Sequence, residues 1–147
     1  GRTYTTFPTV ERIASATVED LTPMKITFIR MRRLIAIARQ IVDGAIDLER
    51  WRDAPPEVRY AGLVGLHGVG HWTAAWSIIR AAGEYVYIGR ADVALRTAVN
   101  RYFYGVKGRI DADAMDALFA SYGEYGAIAA YYTIMRYALD LESRGNE

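Results

Sequence analysis

Residues 66–74 have the sequence Leu-His-Gly-Val-Gly-His-Trp-Thr-Ala and connect two runs with helical periodicity. Gly68 and Gly70 flank one apolar residue, so the backbone can turn tightly between the two runs. The first turn of a helix leaves its N–H groups without intrahelical partners, and such groups bind anions. The sequence therefore predicts a hairpin over about residues 57–82 that holds a DNA strand by its phosphates and does not distinguish base sequence.

The apolar residues of the rest of the chain show helical periodicity almost throughout, without repeats. Residues 83–89 are rich in β-branched and aromatic side chains, but no partner strand is visible, which favours an extended connector. We therefore expect an all-α fold in one domain over residues 1–147. The predicted helices cover 9–14, 18–21, 29–42, 57–63, 72–81, 93–104, 111–122 and 125–141.

Composition limits the class of protein. With 147 residues and 52% hydrophobic content, the chain can bury a core in one domain. It has no cysteine, which excludes disulfides, thiolate metal sites and cysteine nucleophiles. No apolar run approaches the roughly 20 residues that cross a bilayer, and the first residues lack the pattern of a signal peptide. We expect no membrane partner and an intracellular location, either cytoplasmic and nucleoid-associated or nuclear.

The net charge is only +1, which by itself gives little support for nucleic-acid binding. The basic residues are sixteen arginines and two lysines, so local clusters matter more than the total. Arg30, Arg32 and Arg33 form one such cluster. A solvated helix face is the simpler explanation of this cluster, and a binding patch is the alternative.

Asp92 stands directly before the predicted helix 93–104, where an aspartate commonly caps the first turn. A second role follows from the hairpin, because one helix and one return loop separate Asp92 from Trp72 and bring it back beside the bound strand. There a carboxylate can stabilise the positive charge that develops on a deoxyribose as a base departs, and orient or deprotonate the attacking water. Capping and catalysis are compatible roles.

Residues 66–74 together with Asp92 resemble the helix-hairpin-helix, the Gly/Pro-rich loop and the catalytic aspartate of the base-excision DNA glycosylase superfamily (HhH-GPD). The pattern is closest to the branch of 3-methyladenine DNA glycosylase II. It extends from Phe7-Pro8-Thr9 to the final tyrosine-rich helix. The resemblance implies a helical glycosylase domain that binds double-stranded DNA, flips out a damaged purine nucleotide, with an alkylated purine as the expected lesion, and releases the base in base-excision repair.

The resemblance also implies roles for individual residues. Asp92 is expected to be the catalyst. A potassium or sodium ion is expected to complete the phosphate grip, held by the backbone carbonyls of Val64, Leu66 and Val69. The expected DNA contacts are Gly68, Val69, Gly70, His71, Trp72 and Thr73. For His71 an alternative is equally good, namely that it is only an exposed histidine at the start of a helix.

Trp72 occupies the position where members that also cut the DNA backbone carry a Schiff-base lysine. We therefore expect a monofunctional glycosylase without lyase activity. The absence of cysteine excludes the superfamily's iron–sulfur subgroup, and His67 with His71 lacks a third ligand for zinc. No cofactor beyond the alkali ion is expected.

The chain departs from the family pattern at three places. His67 stands where a proline is usual, and Gly126 stands where the alkylation branch tends to carry an arginine. The chain also begins just before the Phe7-Pro8-Thr9 segment, whereas domains of the superfamily usually have several helices upstream. We expect those helices to be lacking, and exposed apolar surface to favour association with an upstream segment or another chain.

Eleven tyrosines and three tryptophans supply candidates for a base pocket, because aromatic faces attract a cationic alkylated purine. Aromatic residues at helical spacing are more often core residues than pocket residues. We place Trp72 and Tyr132 in the pocket. Core or surface positions are expected for Trp51, Trp76, Tyr104 and Tyr131.

Two other classes of function remain open. A non-catalytic helix-hairpin-helix module, or an inactive fragment of a glycosylase, would keep the phosphate grip and use Asp92 only as a cap. A purely structural helical domain would show no salt-dependent DNA binding.

Overall fold

A computed structural model describes residues 6–145 of the chain. Within these residues the structure contains α-helices and two 3-10 helices, Thr22–Met24 and Gly123–Tyr125, but no β-strand, which confirms the all-α prediction. No helix in this part of the chain is long and apolar enough to span a bilayer. In chain order the α-helices are α1 (Val10–Ala14), α2 (Phe28–Val42), α3 (Leu48–Arg52), α4 (Pro56–Gly65), α5 (His71–Ala82), α6 (Val93–Tyr104), α7 (Ala112–Ala120) and α8 (Gly126–Gly145).

The contacts within the chain divide it into two compact units, one ending at Gly68 and the other beginning at Val69. This boundary falls inside the five residues that connect α4 to α5 along the chain. We describe each unit by itself. The single domain over residues 1–147 stays a prediction.

In the first unit, α1 packs against α2. The hydroxyls of Thr9 and Thr27 cap the two helices by accepting a bond from a backbone N–H of the first turn. Helix α2 is amphipathic, and its buried residues are Met31, Ile35 and Ala38. Its bounds agree with the predicted helix 29–42 within one residue.

Helix α3 is missing from the sequence-based prediction, because its only apolar residues are Leu48 and Trp51, which are too few to show a helical repeat. It is fixed by Arg59 of α4, which is only 8% exposed. The Arg59 guanidinium donates to the carbonyls of Trp51, Arg52 and Ala54 at 2.9 to 3.0 Å, so a cation satisfies carbonyls at the helix C-terminus.

The predicted helix start at residues 18–21 is wrong, since these residues form turns ahead of the 3-10 helix. The Asp20 carboxylate accepts bonds from the amide and the hydroxyl of Thr17, at 2.9 and 3.0 Å. Such local bonds offer the backbone an alternative to the helix, and Pro23 has no N–H with which to continue an α-helical ladder.

In the second unit, α6 and α7 pack against α8. Leu95, Val99 and Met115 are completely buried in its core. Burial of a side chain of this size stabilises the fold by roughly 1.5–3 kcal/mol. Because two of the three belong to α6, the core holds the helix at whose start Asp92 lies.

Residues 83–92 connect α5 to α6 without a strand, which confirms the predicted connector over 83–89, and both Gly83 and Gly89 have left-handed φ values. Ile88 is 1% exposed and joins the core. The Tyr87 hydroxyl donates to Asp116 Oδ1 of α7 at 2.7 Å. Burial and this hydrogen bond raise the pKa of Tyr87 far above its usual value, so the phenol stays protonated and keeps donating. The connector is therefore anchored between its two ends.

Candidate active site

The start of α5 lies at the centre of the candidate site. Gly70 is its N-cap, with φ −97° and ψ 176°, and no side chain caps the first amides. No acidic residue lies in the first turn, which consists of exposed His71, Trp72 and Thr73. The partial positive charge of the helix start is therefore not met by a protein carboxylate within this turn, as an anion-binding helix start requires.

The two glycines of the 66–74 stretch differ in conformation. Gly68 has φ +87°, a left-handed value that disfavours other residues. Gly70 is in the extended region, which any residue adopts, and a Cβ there would meet nothing within 4 Å. Gly68 is thus required by the turn itself, whereas Gly70 leaves open space in front of the α5 amides.

Asp92 and Trp72 meet, whereas the predicted position of Asp92 beside a bound DNA strand stays a prediction. The Trp72 indole Nε1 donates to Asp92 Oδ2 at 2.6 Å. The other carboxylate oxygen, Oδ1, accepts the backbone N–H of Leu95 at 2.8 Å and so caps α6. Asp92 is only 5% exposed, while Trp72 is 47% exposed. The capping role is confirmed, and the same carboxylate carries a second, specific bond to an exposed aromatic residue.

This geometry defines what Asp92 can do chemically. Two hydrogen bonds hold the carboxylate in one orientation, and burial keeps bulk water from screening its charge. A fixed negative charge of this kind stabilises a neighbouring cation more strongly than a mobile surface carboxylate does.

The His71 side chain faces the connector. Its Nε2 lies 2.8 Å from the Tyr87 carbonyl oxygen. The ring lies over Gly89, where an added Cβ would come within 2.8 Å of Cδ2 and Nε2. Gly89 in turn accepts the backbone N–H of Asp92 at 3.2 Å. His71 thus braces the segment that leads to Asp92, and the phosphate contact predicted for its side chain stays untested.

Five aromatic side chains of the second unit form a connected row. Centroid distances are 6.1 Å for Trp72–Trp76, 6.0 Å for Trp76–Tyr131 and 5.1 Å for Tyr131–Tyr85. Tyr132 lies 5.7 Å from Tyr131 and 6.4 Å from Tyr85. We call these five residues the aromatic row. Trp72 and Tyr132, the predicted pocket residues, are both exposed members of it.

Sequence reasoning missed Tyr85 and placed Tyr131 with the core or surface residues. Tyr85 joins Tyr131 and Tyr132 in the aromatic row, whereas Tyr87, two positions on, donates to Asp116 of α7. A regular extended segment would send both side chains to the same side, so no sequence signal distinguished them. Burial raises the pKa of Tyr85, with smaller effects from Tyr132 and Tyr131, so its phenol is neutral at pH 7.

The remaining predicted residues have plain positions. Val64 lies in the last turn of α4, where carbonyls lack intrahelical partners, and Leu66 follows in extended conformation. Val69 belongs to the second unit, and binding of an alkali ion by the three carbonyls stays a prediction. Gly126 is buried, and a Cβ there would collide with the Phe119 carbonyl oxygen, so no side chain fits where the family pattern expects an arginine.

Comparison with known proteins points to DNA glycosylases. No protein-family model matches the chain. Over 80 residues it is 32% identical to the DNA-3-methyladenine glycosylase of Bacillus subtilis (strain 168), covering 54% of this chain and 26% of that protein. Over 126 residues it is 24% identical to YfjP of the same strain, provisionally named a DNA-3-methyladenine glycosylase, covering 86% of this chain and 44% of YfjP.

A solved structure gives the same indication. The 3-methyladenine DNA-glycosylase from Archaeoglobus fulgidus superimposes with a TM-score of 0.69 at 26% identity, over 92% of this chain and 43% of that one. The chain therefore has an all-α fold of the 3-methyladenine DNA glycosylase type. It spans less than half the length of each of these three proteins.

Proposed function

We propose that the chain is a monofunctional DNA glycosylase that hydrolyses the N-glycosidic bond of an alkylated purine in double-stranded DNA. The observation that carries this proposal is the hydrogen bond from Trp72 to Asp92, which places a buried, oriented carboxylate at the uncapped start of α5. In this proposal the chain belongs to the HhH-GPD superfamily, in the branch of 3-methyladenine DNA glycosylase II.

The start of α5 would bind the DNA backbone. The amides of the first turn donate to a phosphate, with Gly68, Val69, Gly70, His71, Trp72 and Thr73 as the contact residues. An alkali ion held by carbonyls of Val64, Leu66 and Val69 would add positive charge to this grip. Because the contacts go to the backbone, binding would not depend on base sequence.

Asp92 would act on the sugar. The bond between C1′ and the base nitrogen breaks, and its electron pair leaves with the base, which departs neutral because alkylation had made it cationic. The positive charge that develops on the deoxyribose is stabilised by the Asp92 carboxylate. Water then adds its oxygen to C1′, and its proton passes to Asp92 and on to solvent.

The aromatic row would hold the flipped base. A cationic purine gains from contact with electron-rich ring faces, by about 0.5–2 kcal/mol for each favourable contact. Trp72, Tyr85 and Tyr132 are the exposed members, so they are the ones that a base can reach. Trp76 and Tyr131 support them from the side of the core.

Asp92→Asn in the full chain tests the proposal. We expect duplex binding to persist and single-turnover release of 3-methyladenine from alkylated duplex to fall by at least a hundredfold, because the charge opposite the sugar cation is lost. Asparagine remains a good N-cap, but its amide nitrogen cannot accept the Trp72 indole proton. Thermal unfolding is therefore measured alongside, to separate a loss of charge from a loss of fold.

Asp111→Asn is the matched control, because Asp111 caps α7 in the same way but contacts no indole among the described residues. This variant should release base at the normal rate. Near-normal release by Asp92→Asn would exclude the catalytic role. Wild-type protein that binds duplex but releases no base from a panel of lesions would support the alternative, a non-catalytic binding module in which Asp92 only caps α6.

A further inference from the structure

Helix α2 carries an unbalanced positive charge. Its fifteen residues include Arg30, Arg32, Arg33 and Arg39 and no acidic residue. Several arginines elsewhere have carboxylate partners, as in the pairs Arg101–Asp140 and Arg52–Glu49. Among the described residues no ion pair joins Arg30, Arg32 or Arg33 to a carboxylate. Arg30 and Arg33 are three residues apart and so are like-charged neighbours on the helix surface, and an anion bound beside them would stabilise this helix.

Arg33 lies against the backbone of Gly68, within the same unit. A Cβ at Gly68 would collide with Cδ and Nε of Arg33. The φ of +87° is what requires glycine at this position, and the Arg33 side chain lies directly beside it. A guanidinium group therefore lies at the segment for which we propose phosphate binding.

A cavity of about 330 Å³ opens beside this contact. Its polar lining consists of Arg32, Arg33, Gln40 and His67, and no carboxylate lines it. Ile29 and Ile37 contribute apolar walls. This volume is near the lower end for ligand pockets, which suits a phosphate group with its adjoining sugar atoms. All four polar side chains can donate hydrogen bonds, so the chemistry of the lining favours an anion.

We propose that this cavity, the α2 anion site, binds a second backbone phosphate of the DNA strand. The proposal rests on the proposed function and adds a contact that the start of α5 does not supply. A guanidinium fork donates two parallel bonds to phosphate oxygens, which is why arginine suits this role better than lysine. The contact positions the duplex and adds affinity, without distinguishing damaged from undamaged DNA.

The test measures affinity of the full chain for a short, lesion-free duplex at several KCl concentrations. Each phosphate contact contributes about 0.9 to the slope of log K against log salt. We expect Arg33→Gln, and Arg32→Gln to a lesser degree, to weaken binding several-fold at low salt and to reduce the slope by about one. Arg33→Lys should retain the slope with weaker binding, because it keeps the charge and loses the fork.

Arg50→Gln is the matched control, because Arg50 is an exposed arginine of the same unit that does not line the cavity. It removes the same charge and should change the slope much less. Thermal unfolding of every variant verifies that the chain remains folded. Equal effects of Arg33→Gln and Arg50→Gln would overturn the α2 anion site.

The outcomes separate this proposal from the proposed function. If Gly70→Asp weakens binding but Arg33→Gln behaves like Arg50→Gln, only the α2 anion site fails. If binding of duplex by the wild-type chain shows no salt dependence at all, the proposed function and the α2 anion site both fail. Inorganic phosphate is the remaining probe. Phosphate binding that Arg33→Gln abolishes, with duplex affinity unchanged, would identify a site for free anions and overturn the DNA contact.

Discussion

The imidazole of His71 faces the connector, where it contacts the Tyr87 carbonyl and lies over Gly89. This arrangement gives His71 a role as a positioning residue for Asp92. We expect His71→Ala to lower the single-turnover rate of base release about tenfold or more, since small misplacements of a reacting group are costly. Duplex affinity should change little, because the backbone amide of residue 71 remains in place.

His71→Gln is the conservative variant for this prediction. Its side-chain amide can donate to the same carbonyl, so it should recover part of the rate. Equal loss of binding and rate in both variants would instead support the direct phosphate contact that the sequence suggested.

Individual residues show what the sequence can and cannot specify. Asp92 was placed correctly as an N-cap, and its return to Trp72 follows from chain connectivity. The direction of the His71 ring and the membership of Tyr85 in the aromatic row depend on tertiary packing. No local pattern encodes which side of the connector faces α8.

Elements with long periodic patterns were predictable, whereas of the two five-residue helices α1 was predicted and α3 was not. Helix α2 is amphipathic over fifteen residues, with a threonine cap and a stop at Asp43. Helix α3 is five residues long and depends on Arg59, a residue seven positions beyond its end. Residues 18–21 failed as a helix because Asp20 bonds back to Thr17. The periodicity of apolar residues reports neither local side-chain bonds that compete with a helix nor a residue farther along the chain that stabilises one.

Phosphate binding at the start of α5 can be tested by a substitution at its N-cap. Gly70→Asp puts a carboxylate at the N-cap, where aspartate bonds to the free amides of the first turn. The variant should therefore be as stable as the wild type or slightly more so, yet bind every duplex more weakly, because its side chain competes with phosphate and repels it. Affinity and thermal unfolding are measured together.

Gly70→Ala separates charge from bulk in this experiment. The extended conformation at residue 70 accepts alanine, and its Cβ has free space. Alanine should weaken binding far less than aspartate does. An unchanged affinity of Gly70→Asp at moderate salt would show that phosphate does not bind at the start of α5.

For the whole molecule, the net charge says little about where a polyanion could bind, because it sums positive and negative regions that lie apart. The +1 total hides α2, with four arginines and no acid. It also includes carboxylates that are already paired, such as Asp113 and Asp116 with Arg90. Steering of a polyanion depends on where unpaired charge lies, not on the sum. Association with an upstream segment or another chain remains a prediction.

For the intact molecule we predict base release without cleavage of the DNA backbone. Backbone cleavage by a glycosylase needs an amine that forms an imine with C1′. At the candidate site the corresponding position is Trp72, whose indole is bonded to Asp92. The two lysines, Lys25 and Lys107, lie outside residues 66–92. We therefore expect free base and an uncut abasic strand, which hot alkali then cleaves.

Borohydride trapping checks this outcome directly. The wild-type chain with alkylated duplex should give no covalent protein–DNA adduct, while a lysine-dependent glycosylase treated in parallel should give one. An adduct would mean that an amine attacks C1′ and that water is not the nucleophile. Lys25→Arg and Lys107→Arg would then locate that amine, because arginine keeps the charge but forms no imine under these conditions, and trapping that survives both changes would point to the α-amino group. If no adduct forms while base is still released, hydrolysis assisted by Asp92 accounts for the reaction without a covalent intermediate.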